Sequence, residues 1–243
     1  MFLLKRIKPI KLDFYTFDPA AFEYAQPNIG KPKPKWFSSL CPVSKKQAPN
    51  MPLGFIEKHP TVVYCPAIRG MVEDSINIPA WYETEIIINP DGSFIDTKGE
   101  EFGEKIAAHT VDQVGGEFYK DRAFAKLISP WKGVCNEAVH FMYTSNFYGS
   151  SFFDHNDIVV PPGYIEFKYQ SATNVHLWFK IKPEMYSVKI PLKTPLLNFT
   201  PMSERELILN NHLVDFGEWM QLGSPNPKVS IGKYYKKLKL EQA

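Results

Sequence analysis

No stretch of this 243-residue chain approaches the roughly 18–20 consecutive apolar residues that span a bilayer, so no membrane-crossing helix is expected. Cysteine is scarce. The three residues, Cys41, Cys65 and Cys135, show no Cys-x-x-Cys spacing and are odd in number, which argues against a disulfide framework or a zinc site and for reduced, mostly buried thiols. The phosphate-binding pattern Gly-x4-Gly-Lys-Ser/Thr is missing, and Gly115-Gly116 alone cannot cradle phosphates. Without a Gly-x-Ser-x-Gly elbow, serine-hydrolase chemistry has no nucleophile motif either. The opening Met-Phe-Leu-Leu-Lys-Arg-Ile-Lys puts its charges after a short apolar run, the reverse of a signal peptide, so synthesis in the cytosol is expected.

What is present is aromatic and proline-rich. Phe (18), Tyr (12) and Trp (5) suit pleated surfaces, and 21 prolines against 14 glycines suit loops between short strands. Strand signals recur through the second half, at 125–128, 134–142, 158–160, 164–169, 175–180, 186–190, 196–200 and 207–214. Earlier, residues 2–15 alternate, 61–65 and 75–79 are β-branched runs, and 81–97 forms a hairpin around Pro90-Asp91-Gly92-Ser93. A helix capped by Asp18 is predicted for 18–25, with others at 101–108, 215–222 and 231–240. The pattern predicts a mainly β protein, an antiparallel β-sandwich or jelly-roll-like domain. Its parts are an extended, basic, proline-rich arm (1–55), a sandwich body (56–227) and a basic C-terminal helix (228–243).

The net charge of +2 conceals an uneven layout. Residues 1–46 carry +6 and 228–243 carry +4, leaving −8 for 47–227. Basic ends on an acidic body suit docking to an acidic partner or a neighbouring copy. The bulk charge is too small for a dedicated nucleic-acid binder, so nucleic acid is not expected as a specific partner. Lys31, Lys33, Lys35, Trp36 and Phe37 form a basic segment tipped by two aromatics, which anchors in a pocket of its own domain or of a partner. Lys233, Lys236 and Lys237 are the corresponding contacts of the C-terminal helix.

One constellation points to chemistry. His155-Asn156-Asp157, on a strand edge, would place an imidazole and a carboxylate on one side. With His212 as third ligand they would hold Fe(II) as in a jelly-roll or cupin-type non-haem iron oxygenase. The same residues also make good turn composition, which is the preferred reading. No basic residue follows between His212 and Lys228 to hold a co-substrate carboxylate. A carbohydrate-binding module is a third reading, through exposed Trp or Tyr rings. Trp81, Trp131, Trp178 and Trp219 sit in apolar patterns, however, and read as core.

Three stretches resemble a family of proteins encoded by contractile-tailed, marine-type bacteriophages. They are Lys11-Leu12-Asp13-Phe14-Tyr15-Thr16 with Lys35-Trp36-Phe37, then Cys65-Pro66-Ala67-Ile68 leading to Ile78-Pro79-Ala80-Trp81, and Lys189-Ile190-Pro191 through Thr194-Pro195-Leu196-Leu197-Asn198-Phe199-Thr200-Pro201. The resemblance implies a β-rich phage product and carries no catalytic residues. The resulting expectation is a non-enzymatic virion structural or assembly protein of head, neck, tail or baseplate. Its partners would be other virion proteins or copies of itself.

Overall fold

A computed structural model describes residues 8–30, 33, 35–41, 43–47, 56–96, 106–108, 119–145 and 152–222. Strand β1 (Ile10–Thr16) alternates as its sequence demands. Ile10, Leu12, Phe14 and Thr16 are fully buried, while Lys11, Asp13 and Tyr15 turn outward. Helix α1 (Pro19–Tyr24) begins where Asp18 accepts hydrogen bonds from the amides of Ala20 and Ala21, with Pro19 in the first turn. The chain continues through β2 (Asn28–Ile29), α2 (Lys35–Ser39), β3 (Val43–Gln47), β4 (Ile56–Pro60), a 3-10 turn (Val62–Tyr64) and α3 (Pro66–Glu73). Next come β5 (Ile76–Pro79), β6 (Thr84–Ile88), β7 (Phe94–Asp96), β8 (Ile106–Ala108), β9 (Arg122–Leu127), β10 (Trp131–Cys135) and β11 (Phe141–Thr144). The last elements are α4 (Phe152–His155), β12 (Ile158–Val159), β13 (Gly163–Ile165), β14 (Val175–Lys180), β15 (Tyr186–Ile190), β16 (Pro195–Pro201), β17 (Leu207–Leu213) and α5 (Phe216–Gln221).

The protein is mainly β, with several antiparallel sheets and few, short helices. The sheets run β10-β1-β17, β13-β11-β16-β5-β2, β12-β14-β9-β8, β15-β6-β7 and β3-β4. The first four contribute to one core, in which Phe14, Phe141 and Phe199 surround Phe167 with ring centroids 5.1–5.6 Å away and edges meeting faces. Gly133 lets this cluster close, because a Cβ there would fall 2.6 Å from the Phe167 ring.

The hairpin of β6 and β7 forms as the sequence predicts, with the Asn89 amide donating to the Ser93 carbonyl across the turn. Strands β14 and β15 match the predicted ranges residue for residue. Several expectations fail, among them the strand expected at 164–169, which ends at Ile165 and gives way to a turn at 167–169. The run 61–65 is no strand: Pro60 and Pro66 bracket it, so it coils into the 3-10 turn and then α3, with Pro66 in the helix's first turn. The single strand expected at 134–142 is two, in different sheets, because the backbone turns at Glu137 where Arg205 grips the carboxylate. Ile106–Ala108 is strand, not helix, pairing with β9. The arm is not extended throughout, since α2 starts at Lys35. The helix predicted at 231–240 lies outside the described residues.

The start of the expected arm is integral to the body. Strand β1 lies between β10, antiparallel, and β17, parallel, and the Arg205 guanidinium donates to the carbonyls of Lys8 and Pro9. Among the described residues, β1 with β17 is the one parallel strand pair. Of the cysteines, all free, only Cys135 is buried; Cys41 is exposed and Cys65 intermediate, against the expectation of mostly buried thiols.

Candidate docking surface

The outer face of the β10-β1-β17 sheet leads into an exposed apolar ridge. Helix α5 starts where Asp215 accepts the amide of Glu218 at 2.8 Å. Trp219 holds it to the sheet. Its indole N–H donates to the Pro130 carbonyl at 2.9 Å, and its ring meets Phe17 at 4.7 Å. Phe216 packs on Phe17 at 5.1 Å and stacks on Trp219 at 6.1 Å, yet remains 58% exposed. Met220 and Leu213 are 54% and 46% exposed, so three large apolar side chains crowd one end of the sheet. Single exposed apolar residues are ordinary; three within eight residues at the end of β17 and on α5 make a candidate contact surface.

A polar group borders the ridge. In the register of β1 and β17, Tyr15 faces His212, and their rings stack at 4.7 Å. His212 Nε2 lies 2.9 Å from Asp13 Oδ1, which also accepts from the Asn210 amide at 3.0 Å. Burial, followed by the charges of Asp13 and Glu218, raises the Tyr15 phenol above its ordinary pKa, so it stays a neutral hydroxyl.

The structure does not join His155, Asp157 and His212. His155 ends α4 and is exposed, so the histidine–aspartate pair lies in a helix-to-strand turn, not on a strand edge. Asp157 adopts a left-handed φ of 51° and pairs with Arg122 at 3.1 Å. His212 sits in another sheet, engaged by Asp13. Among the described residues, no group of three His, Cys, Asp or Glu is placed to hold a metal ion.

Of the arm residues, Phe37 is buried within its own chain, and Lys33 pairs with Glu73 of α3 at 2.9 Å. Lys35 and Trp36 fall in the first turn of α2. Lys31, Lys233, Lys236 and Lys237 lie outside the described residues. Trp81 and Trp131 are core residues as expected, whereas Trp178 and Trp219 are only partly covered. The ridge was not legible as a site, because Phe216, Trp219 and Met220 at helical spacing read equally well as a buried face. Elsewhere, His140 contacts the buried Glu166 carboxylate and meets the ring of the exposed Tyr164 edge-on. Among the described residues, no helix is long and apolar enough to cross a membrane. No protein-family model matches the chain, and no curated protein matches it in sequence.

Proposed function

We propose that this protein is a non-enzymatic structural or assembly component of a bacteriophage particle, docking through the α5 ridge onto a neighbouring copy of itself. The exposure of Leu213, Phe216 and Met220 on one end of the sheet carries this reading. Charge names the occupant. The same chain supplies a body of −8 and ends of +6 and +4, so one copy offers both the acidic surface and the basic segments that complement it. The C-terminal basic segment, 228–243, follows the ridge closely in sequence, which pairs an apolar contact with a charged one. The resemblance to contractile-tailed phage proteins supplies the setting.

Light scattering on the full chain during size-exclusion chromatography tests the reading. Self-association that weakens as salt rises, and is lost in Phe216→Ser/Met220→Ser, is the expected result. A monomer at all concentrations overturns the choice of a second copy. Failure to co-sediment with particles from infected cells overturns the virion assignment.

A further inference from the structure

The segment leading into β14 alternates along its length. Ser171, Thr173 and Val175 are at most 3% exposed and turn inward. Gln170, Ala172, Asn174 and His176, the residues between them, form one wall of an open cavity of about 200 Å³.

The buried members pin that wall to β10 and the turn before it. The Gly133 amide donates to the Ser171 carbonyl, and the Thr173 hydroxyl donates to the Trp131 carbonyl at 2.7 Å. Asn174 Oδ1 accepts the Ser129 amide at 3.0 Å, which orients the carboxamide and leaves its two N–H donors.

The facing wall comes from β11, β13 and β16, through Tyr143, Tyr164, Ile165, Leu197 and Phe199. Gly163 stands opposite Tyr143 in the register of β11 and β13. A Cβ there would collide with the phenol oxygen, so this glycine lets the ring lie across the edge strand. Burial raises the Tyr143 phenol above its ordinary pKa, so it stays a neutral hydroxyl, able to donate and to accept. Tyr164 is 66% exposed, yet its ring is held edge-on to His140 at 5.2 Å, and His140 is engaged by the buried Glu166 carboxylate.

Among the described residues, no Lys, Arg, Asp or Glu lines this cavity. Its polar groups are two phenols, two carboxamides and an imidazole, set against the apolar Ile165, Leu197 and Phe199. The volume is below the roughly 300–1,000 Å³ of drug-sized sites, which leaves room for one ring and not for a chain. None of the lining residues belongs to the α5 ridge.

We propose that this cavity binds a single uncharged pyranose, its C–H face on the aromatic wall and its hydroxyls on Tyr143, Gln170 and Asn174. A carboxylate or phosphate would give up water here without meeting a counter-charge. A nucleobase presents its polar atoms in one plane, whereas the polar groups here come from both walls, as hydroxyls disposed around a sugar ring require.

The test is NMR titration of the full chain, read at the side-chain amides of Gln170 and Asn174. Glucose, galactose and mannose are the neutral probes, with glucuronate and adenosine as the charged and planar alternatives. The expected result is saturable binding of at least one neutral sugar, at the roughly millimolar affinity of a single ring. Tyr143→Phe, which keeps the ring, and Gln170→Ala, at an exposed position, should each weaken binding about three- to tenfold while the chain stays folded. Absence of a saturable shift with all three sugars overturns the proposal. Equal or tighter binding of glucuronate or adenosine does so too, as does full affinity in both variants.

Discussion

Lys132 and Trp219 meet twice: the Lys132 ammonium donates to the Trp219 carbonyl at 2.8 Å and lies 3.9 Å from the centroid of its ring. Lys132 is 5% exposed, so its charge is satisfied by one carbonyl and one π face instead of water. The contact ties α5, and with it the exposed apolar ridge, to β10. Lys132→Met keeps the stem but removes one of the carbonyl's two donors, the Leu222 amide at 3.2 Å remaining, at a cost of about 1 kcal/mol. Denaturant titration followed by tryptophan fluorescence reads it. Burial lowers the Lys132 pKa from 10.5, so the unfolded chain binds the proton more tightly. This residue's contribution to stability therefore rises with pH up to that ordinary value, and Lys132→Met removes the slope.

Two glycines should respond to alanine with opposite signs. At Gly133 the new Cβ would fall 2.6 Å from Phe167 and 3.2 Å from Phe14, both fixed in the core, so Gly133→Ala should cost about 1–3 kcal/mol. At Gly70, inside α3, the nearest atom is the end of the Asp74 side chain at 3.8 Å. Gly70→Ala should stabilise by up to about 1 kcal/mol through helix propensity. Thermal melts of both variants separate the cases.

Acid should weaken two ties between distant parts of the chain. Lys33, and then Arg69, hold the Glu73 carboxyl below its ordinary pKa, and Arg205 does the same for Glu137. Both folded-state values are depressed. Their stabilisation is therefore complete above the ordinary carboxylate value of 4.5 and is lost as pH falls below it. Glu137→Gln should destabilise near neutral pH and have no effect in strong acid. Solvent reaches both pairs, so the shift in denaturation midpoint should be small. Hydrogen exchange at β1, whose entry Arg205 clamps, should show the larger response.

Alkali should act on Tyr82. Its hydroxyl donates to the Asp18 carboxylate that caps α1, and burial, then that bond, raise its pKa above the ordinary 10.0. A raised value means stability present below the unfolded pKa and lost as pH climbs past it. Tyrosinate absorbance during alkaline titration should lose its latest-titrating component in Tyr82→Phe. Asp18→Ala should cost about 1–2 kcal/mol through loss of the cap.

Much of the architecture was legible in local pattern. β14, the β6–β7 hairpin and the Asp18 cap follow from period-two alternation, a Pro-Asp-Gly turn and a Pro after an acidic cap. The failures share a cause, since each depended on where a segment found its partner. Val62 and Tyr64 look β-branched or aromatic, yet both are exposed and bracketed by prolines. The run 134–142 looks continuous until Arg205, far along the chain, takes Glu137 at its midpoint. The cavity beside β14 is a similar case. Alternation puts Gln170, Ala172, Asn174 and His176 on one face, yet nothing near them in sequence announces Tyr143 or Phe199.

By itself, the sequence determined the class of this protein: short alternating strands, proline-punctuated turns, an aromatic core and a charge layout of basic ends on an acidic body. Those are properties of neighbouring residues, and backbone sterics and side-chain periodicity act locally. Only the tertiary structure decided that β1 pairs in parallel with a strand about two hundred residues away, that His155 and Asp157 stand apart from His212, and that Phe216 and Met220 face outward. Those outcomes depend on long-range pairing and burial, and an apolar side chain carries no local mark of whether its own fold will cover it.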